Sequence, residues 1–353
     1  MTDSALPVPG NLYRFKCKKN GTYWREGIFD ESPEMEYVLF QVSSNPRQYL
    51  ICLSKNKYGA DASGNFVATS FDAAKKPFLT FSLPSVPAWH DNRQTLWEIK
   101  EDGGGHFRLR SPFAGAYLCS GPSGFANLTE SKQADGSDLF TVEETGSFPA
   151  VLKIEHVQGE APPTPVLKSM NQPPEYEPEE PGKLTGVAAV PYFLIKSDAG
   201  KGERWQGRNS PYYIIKRWTR WHRVGWGTFA AGKMEHYGWS TTEGVTESQG
   251  KSISETTHMS VTANAGFALE GFSAGISGTL SHDLNVTTTT DWTANYSHTV
   301  NSDTTITPNT DEAIGTWYRQ DKYVIYRADG DSDVIDFPVT VPQTKVESSY
   351  AKR

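Results

Sequence analysis

The sequence lacks the features that define several large protein classes. It has 3 cysteines in 353 residues (Cys17, Cys52 and Cys119) and no C-x-x-C spacing, which argues against a disulfide framework and a zinc finger. No apolar run approaches the ~18 residues of a membrane-spanning helix. Residues 1–10 have neither a basic start nor an apolar core, so we expect no Sec signal and a protein made in soluble form.

Positive charge and catalytic motifs are also scarce. The chain has 34 Lys and Arg against 41 Asp and Glu, a formal net charge of -7, which argues against a nucleic-acid partner. No Gly-rich phosphate loop, G-x-S-x-G elbow, H-E-x-x-H or paired Cys and His constellation occurs. We therefore expect no enzyme, no catalytic residues, no metal and no cofactor.

A proline-rich stretch separates two parts of different character. Seven of the twenty residues from Pro162 to Pro181 are proline, which fixes φ and removes a backbone donor. The stretch predicts an extended linker or a strap lying over a surface. We place a first domain at 1–155 and a second at 156–353, with the linker at about 160–190.

Three short motifs recur in the first part, in units of roughly 40 residues. They are alternating strand openings (12–15, 48–51 and 106–109), turns followed by tyrosine (20–23, 55–58 and 114–117), and Leu-aromatic-x-aliphatic strings (39–42, 96–99 and 139–142). This pattern resembles a β-trefoil of the ricin-B type. Ricin-type sugar pockets usually carry Asp and Gln at positions that hold Arg25, Ala60 and Cys119, and Val38, Thr95 and Asp138, in this chain. We therefore leave any glycan-binding residues unassigned.

The second part is rich in hydroxyl side chains. Ser and Thr make up 27 of the 71 residues from Ser240 to Thr310, and Lys251 is the single Lys or Arg there. Many β-branched residues and few helix formers predict long strands.

One segment of this part changes parity. Its apolar residues are at odd positions before Glu270-Gly271 and at even positions after it. They include Val261, Phe267 and Leu269 on the first arm, and Phe272, Ile276, Leu280 and Leu284 on the second. Two strands joined by a two-residue turn share an apolar face when parity changes across the turn. We predict a β-hairpin at about 258–288, suited to membrane insertion because a barrel strand needs ~9–11 such residues. A half-buried hairpin on a core is the alternative.

Residues 210–226 interleave cations with aromatic rings. We take five of these side chains as candidates for contact with a membrane or receptor, where rings and cations meet headgroups: Trp218, Trp221, Trp226, Arg220 and Arg223. Stacking on nucleic-acid bases and an ordinary long strand with snorkelling arginines are the alternatives.

The same region carries a family resemblance. Residues 210–218 (SPYYIIKRW), with 174–178 (PEYEP) and 189–193 (AVPYF) before them, are similar to the binary-toxin-like (Bin/Tpp) insecticidal proteins. The motifs cover about residues 162–240, and the architecture covers nearly the whole chain. The resemblance implies an all-β chain, with an N-terminal ricin-B-like β-trefoil followed by an elongated aerolysin-type β-sheet pore-forming domain.

The resemblance also implies where such a protein is stored and where it acts. Such a protein is held in the bacterial cytoplasm or a crystal inclusion, is released, and acts at the host cell membrane. It binds a surface receptor (a glycan or glycoprotein) on gut cells, forms a homo-oligomer and inserts a β-barrel, sometimes with a second toxin component.

Two hypotheses follow. The first is an insecticidal β-pore-forming toxin whose trefoil binds the cell surface and whose hairpin inserts. The alternative is a trefoil lectin with a β-rich oligomerisation domain that never enters the membrane. A glycan-active hydrolase would need two carboxylates at a defined separation, and the sequence nominates no such pair.

Overall fold

A computed structural model describes most of the chain and resolves it into two compact units. The described residues are 6–7, 11–41, 47–54, 66–82, 93–147, 157, 159–173, 182–202, 205–206, 209–210, 212–269, 274–289, 291–327 and 333–352. The first unit comprises Met1–Lys153, Pro191–Tyr213 and Gly271–Ile276; the second comprises Ile154–Val190, Ile214–Glu270 and Ser277–Arg353. Residues 191–213 therefore group with the first unit, although the sequence placed them in the second domain.

The first unit has twelve strands in its described residues. They are β1 (Asn11–Cys17), β2 (Tyr23–Arg25), β3 (Ile28–Asp30), β4 (Tyr37–Gln41), β5 (Gln48–Leu53), β6 (Phe66–Phe71), β7 (Pro77–Ser82), β8 (Leu96–Glu101), β9 (Phe107–Ser111), β10 (Ala116–Ser120), β11 (Ala126–Thr129) and β12 (Phe140–Ser147). A 3-10 turn, Arg93–Thr95, precedes β8.

Six of these strands close a barrel. They pair antiparallel in the order β1, β4, β5, β8, β9 and β12, and β12 pairs back onto β1. In each group of four, the second and third strands form a hairpin. A closed six-stranded barrel with three hairpins, built from three four-stranded repeats, is a β-trefoil. The predicted trefoil is therefore confirmed.

The recurring sequence motifs occupy equivalent strands of this barrel. The openings fall on β1, β5 and β9, and the Leu-aromatic strings fall on β4, β8 and β12. Alternate residues of a strand face the barrel interior, and Leu39, Trp97 and Phe140 are fully buried there. The repeats are visible in the sequence because each must supply the same inward-facing positions to one shared core.

The second unit is built on one large sheet. Its strands are β13 (Lys183–Pro191), β14 (Tyr212–Phe229), β15 (Glu235–Gly244), β16 (Met259–Val261), β17 (Phe267–Leu269), β18 (Thr288–Thr289), β19 (Ser297–Ile306), β20 (Glu312–Arg327), β21 (Asp333–Thr340) and β22 (Val346–Ala351). The large sheet has the order β13-β14-β20-β21-β15-β19, with β22 on β20, and β16-β17-β18 form a small sheet. The first residues of β14 and the last of β13 belong to the first unit.

Two α-helices interrupt the Ser/Thr-rich stretch that was expected to form long strands. They are α1 (Glu247–Thr256) and α2 (Ala274–Leu284), and a 3-10 turn, Tyr192–Leu194, follows β13. Helix α1 begins with a capping box, in which the Gln249 backbone N–H donates to Thr246 Oγ1 (3.3 Å) and Thr246 N–H donates to Gln249 Oε1 (2.9 Å). This T-x-x-Q signature outweighs the weak helix propensity of the residues that follow. No helix among the described residues has the length and apolar character needed to cross a membrane.

The proline-rich segment forms a strap over the sheet of the second unit. We define the strap as residues 159–173, in which Leu167 is buried against Ala313 and Trp317. Trp221 Nε1 donates to Pro162 O (3.0 Å), and Leu167 N–H donates to Ser348 Oγ (2.9 Å). The predicted linker range of 160–190 includes most of β13, whose first residue is Lys183.

Candidate functional site

The predicted insertion segment lies between two strands that pair with each other. β15 and β19 pair over ten consecutive positions, from Glu235↔Ile306 to Gly244↔Ser297, with no shift of register. We call these two strands the ribbon, and residues 245–296 between them the inserted segment. The ribbon has a packed face, on which Tyr237 and Trp239 are buried, and a polar face with exposed side chains such as Ser240.

In the inserted segment, the described residues of 258–288 form two short strands and a helix instead of the two arms of the predicted hairpin. Its first arm is broken into β16 and β17, which pair with each other around a turn in which Thr262 N–H donates to Gly266 O (3.0 Å). Its second arm is largely the helix α2. The predicted turn residues, Glu270 and Gly271, and their neighbour Phe272 lie outside the described residues.

The spacing of apolar residues in the second arm is compatible with a helix. Ile276, Leu280 and Leu284 are spaced by four residues, so they lie along one face of a helix. The same spacing also places them on one face of a strand, where every second residue points the same way. The sequence pattern is thus compatible with both structures, and local packing selects the helix here.

Among the residues whose exposure the structure describes, most large apolar side chains of the predicted hairpin are buried in protein. Five of them have zero exposure: Val261, Phe267, Leu269, Leu280 and Leu284. The Phe267 ring packs edge-on against Tyr323 (centroids 4.9 Å apart), and Phe337 lies 6.4 Å from it. Burial raises the pKa of Tyr323, so its hydroxyl stays neutral in this cluster. Ile276 is in α2.

An arginine from β14 clamps the C-terminal end of α2. Arg217 Nη1 donates to Leu284 O (2.8 Å) and Asn285 O (2.9 Å), and Nη2 donates to Asp321 Oδ2 (2.7 Å). Thr219 Oγ1 donates to the other Asp321 oxygen (2.7 Å). A cation at a helix C-terminus meets the exposed carbonyls and the negative end of the helix dipole. The clamp therefore ties the inserted segment to the large sheet.

A second tie lies within the segment itself. Asn295 Nδ2 donates to Gly250 O (2.8 Å) and Ser254 Oγ (2.7 Å), while its Oδ1 accepts from Val261 N–H (2.8 Å). One amide side chain thus joins α1, β16 and the approach to β19. Single long-range contacts of this kind have no periodic signature, so neither Asn295 nor Asp321 was identifiable from the sequence.

The basic and aromatic candidates of β14 are engaged inside the second unit. Trp221 and Trp226 pack against the Leu167 cluster under the strap, and Arg223 Nη1 donates to Pro173 O. Arg220 donates to Gln320 Oε1 from Nε (3.0 Å) and Nη2 (2.8 Å), and the Trp218 ring lies edge-on to Tyr326 (6.3 Å). These contacts give the five side chains a structural role here. Their contact with a membrane or receptor stays a prediction.

Comparisons with known proteins show what this chain is similar to. Residues 183–352 match the family described as "Insecticidal Crystal Toxin, P42". The solved structure of Cry35Ab1 is 16% identical to this chain, and the match covers 98% of this chain and 91% of that one at a TM-score of 0.66. The chain is Bin/Tpp-like. The resemblance predicted from residues 162–240 is confirmed, and the similarity of fold to Cry35Ab1 extends it over nearly the whole chain.

Shorter similarities involve the trefoil of this Bin/Tpp-like protein. A ricin B-like lectin from Macrolepiota procera, solved with lactose, is 13% identical over 40% of this chain and 100% of the lectin (TM-score 0.30). SeviL, solved with asialo-GM1 saccharide, is 14% identical over 38% of this chain and 97% of its own (TM-score 0.28). No curated protein matches the chain.

Proposed function

We propose that this Bin/Tpp-like protein is a β-pore-forming toxin whose inserted segment refolds as a continuation of the ribbon. The observation that carries this proposal is the register of the ribbon. Each step along β15 toward the inserted segment moves the paired residue of β19 back by one, from Glu235 opposite Ile306 to Gly244 opposite Ser297. Continued without a slip through the inserted segment, this register pairs Leu269 with Phe272 and leaves Glu270 and Gly271 as a two-residue turn.

Two independent observations therefore select the same turn. The change of parity in the sequence places it at Glu270-Gly271 without any knowledge of the fold. Extension of the ribbon register gives the same turn without any reference to hydrophobicity, which supports the proposal. If either the parity change or the ribbon register were shifted by one residue, the two would give different turn residues.

The extended register also sorts the side chains by face. One face carries only apolar pairs near the turn: Leu269–Phe272, Phe267–Ala274, Ala265–Ile276, Ala263–Gly278 and Val261–Leu280. The other face carries Ala268–Ser273, Gly266–Gly275, Asn264–Ser277 and Thr262–Thr279, which are small or polar. Each arm of this band, 261–269 and 272–280, has nine residues, which matches the ~9–11 residues of a tilted membrane strand.

Charge supports the same interpretation. From Val261 to Leu280 the only ionisable side chain is Glu270, at the turn. Charged groups are costly at mid-bilayer, so their absence from the band favours insertion. One hairpin leaves open edges that lipid cannot satisfy, so several copies must close a barrel. The proposal therefore includes a homo-oligomer on the target membrane, with the trefoil binding a surface receptor.

A matched pair of exposed residues tests the proposal. Ala263 and Asn264 are neighbours in the β16–β17 turn and both are exposed, so either can become arginine without disturbing the folded core. In the extended hairpin Ala263 faces lipid and Asn264 faces the lumen. Arginine on the lipid face near mid-bilayer costs about 2–4 kcal/mol per copy. Ala263→Arg should abolish dye release from vesicles made of target-cell lipid extract, whereas Asn264→Arg should release dye like the parent.

The two variants also define the contrary results. Equal dye release from Ala263→Arg and the parent would contradict the assigned lipid face. If the parent binds such vesicles and never releases dye, the alternative of a trefoil lectin with a non-inserting oligomerisation domain holds instead. A thermal melt of each variant verifies that the folded state is unchanged.

A further inference from the structure

The outer face of the barrel carries an unusual pair of cations where the second and third trefoil repeats meet. The register of β8 and β9 sets Lys100 directly opposite Arg108. Like charges at opposed positions of an antiparallel pair are destabilising, so placing Lys100 opposite Arg108 costs the fold stability. Arg110 and Lys132 line the same cavity, which has a volume of about 260 Å³. This concentration of positive charge stands in a chain whose formal net charge is -7.

One wall of the cavity is held rigidly. Arg108 is 8% exposed, and its Nε donates to Asp138 Oδ2 at 2.8 Å. Asp138 is fully buried, and its Oδ2 also accepts from the Gln133 backbone N–H (3.1 Å). Arg108 Nη1 pairs in addition with Asp102. These contacts fix the guanidinium at the base of the cavity before any ligand arrives.

Lys100 differs from the other cations around this cavity. Arg110 pairs with Glu98 (3.3 Å) and Lys132 pairs with Asp102 (3.0 Å). Within the described ranges, Lys100 has no ion-pair or hydrogen-bond partner, and it is exposed. Its ammonium group is therefore available to an anionic ligand.

The other residues that line the cavity restrict the kinds of anionic ligand that it can bind. Glu98 and Asp102 contribute carboxylate oxygens, which accept hydrogen bonds from hydroxyl groups. Tyr117 contributes a ring, opposite Arg110 in register, with the guanidinium 6.0 Å from the ring centroid. An inorganic anion has no ring for Tyr117 and little to donate to the carboxylates. A neutral sugar leaves Lys100 without a partner.

We propose that this cavity binds an acidic sugar, meaning a saccharide ring that bears a carboxylate or a sulfate. The cavity is smaller than the ~300–1,000 Å³ of drug-sized sites, which suits a single ring. Lys100 pairs with the acid, the carboxylates accept sugar hydroxyls, and Tyr117 meets the ring. This inference rests on the proposed function only in that it names the class of receptor the trefoil recognises.

The test uses the full chain in solution, with no membrane present. Binding of 3′-sialyllactose, a heparin-derived sulfated disaccharide, lactose and inorganic phosphate is measured by calorimetry. We expect saturable binding of at least one acidic sugar, no binding of lactose, and weaker binding at higher salt. Lys100→Ala should weaken binding about tenfold or more, because one hydrogen bond to a charged group is lost. The exposed Lys76, in the turn between β6 and β7, provides the matched control Lys76→Ala, which should bind like the parent.

Each remaining outcome has a defined meaning. The preferred acidic sugar distinguishes a carboxylate from a sulfate ligand, and either supports the site. The proposal is overturned if neither acidic sugar binds, if Lys100→Ala binds as the parent does, or if phosphate binds as tightly as the sugars. In a separate assay with anionic vesicles, binding that is lost in Lys100→Ala while neither acidic sugar binds would overturn the proposal and assign the patch to lipid headgroups. Because sugar binding and dye release are separate measurements, failure here leaves the pore proposal intact.

Discussion

Arg217 is the residue on which the folded position of the inserted segment most depends. It satisfies two helix-terminal carbonyls of α2 and one buried carboxylate, that of Asp321. A buried ion pair adds little net stability when intact, because both charges must be taken out of water. Its loss is costly, since one charge then remains buried without that partner. Arg217 therefore acts as a clamp rather than as a general source of stability.

Arg217→Gln should lower the free energy of unfolding by about 3 kcal/mol, because the buried Asp321 is left with the longer ion pair to Arg319 (3.8 Å) and the hydrogen bond from Thr219. Urea denaturation measures this change. Lys216→Gln is the matched control, since the neighbouring Lys216 is half-buried over the Tyr326 ring (4.8 Å) and should cost about 1 kcal/mol or less. If the two variants lose equal stability, the assigned clamp is wrong. Faster dye release by Arg217→Gln than by the parent would connect the clamp with insertion.

At the scale of elements, the inserted segment contains a sequence that suits two structures. Local pairing gives β16, β17 and α2, whereas the register of the ribbon gives two continuous arms. The sequence predicted the apolar face and its period of two. It could not predict the helix, because the four-residue spacing of Ile276, Leu280 and Leu284 also satisfies a strand. Which form is present depends on contacts with β13, β14 and β20 that lie far away in sequence.

The packing of β13 against the end of α2 offers a test at this scale. A Cβ added at Gly186 would lie 2.9 Å from Leu284 Cα and 3.0 Å from Asp283 O, and both of these are backbone atoms. Gly186→Ala should therefore push α2 away and destabilise the folded state by about 1–3 kcal/mol, as overpacking does.

Gly238 in β15 supplies the matched control for this substitution. Its added Cβ would meet Ser302 O at an ordinary 3.5 Å. The midpoint of urea denaturation should therefore fall in Gly186→Ala and stay near that of the parent in Gly238→Ala. A Gly186→Ala variant as stable as the parent would show that this close approach does not hold the helix.

At the scale of the whole molecule, the trefoil was predictable and the second unit only partly so. Three repeats each supply equivalent core residues, such as Leu39, Trp97 and Phe140, and such repetition is visible in a single sequence. The whole inserted segment lies between β15 and β19 in the chain, so no local sequence pattern predicts that these two strands pair. The parity change at Glu270-Gly271 nevertheless agrees with the register of the ribbon. Under the proposal, the sequence thus encodes a hairpin that the described residues of the folded unit do not form.

A cross-linking measurement tests this central claim most directly. In the extended register Asn264 faces Ser277, whereas Ser281 lies four positions further along the second arm. The double variants are Asn264→Cys/Ser277→Cys and Asn264→Cys/Ser281→Cys. The native cysteines Cys17, Cys52 and Cys119 are buried, which limits their access to oxidant. Burial also raises the pKa of the Cys17 thiol, and that of the Cys119 thiol to about 11, so these two stay protonated near neutral pH.

We expect the 264–277 disulfide to form under mild oxidation only after the protein has been incubated with target-cell lipid vesicles. The 264–281 disulfide should not form in that vesicle-bound state. Mass spectrometry of the vesicle-bound oligomer identifies the linked peptides. A 264–277 pair that stays reduced in an oligomer that has released dye, or a 264–281 pair that links equally well, would contradict the account.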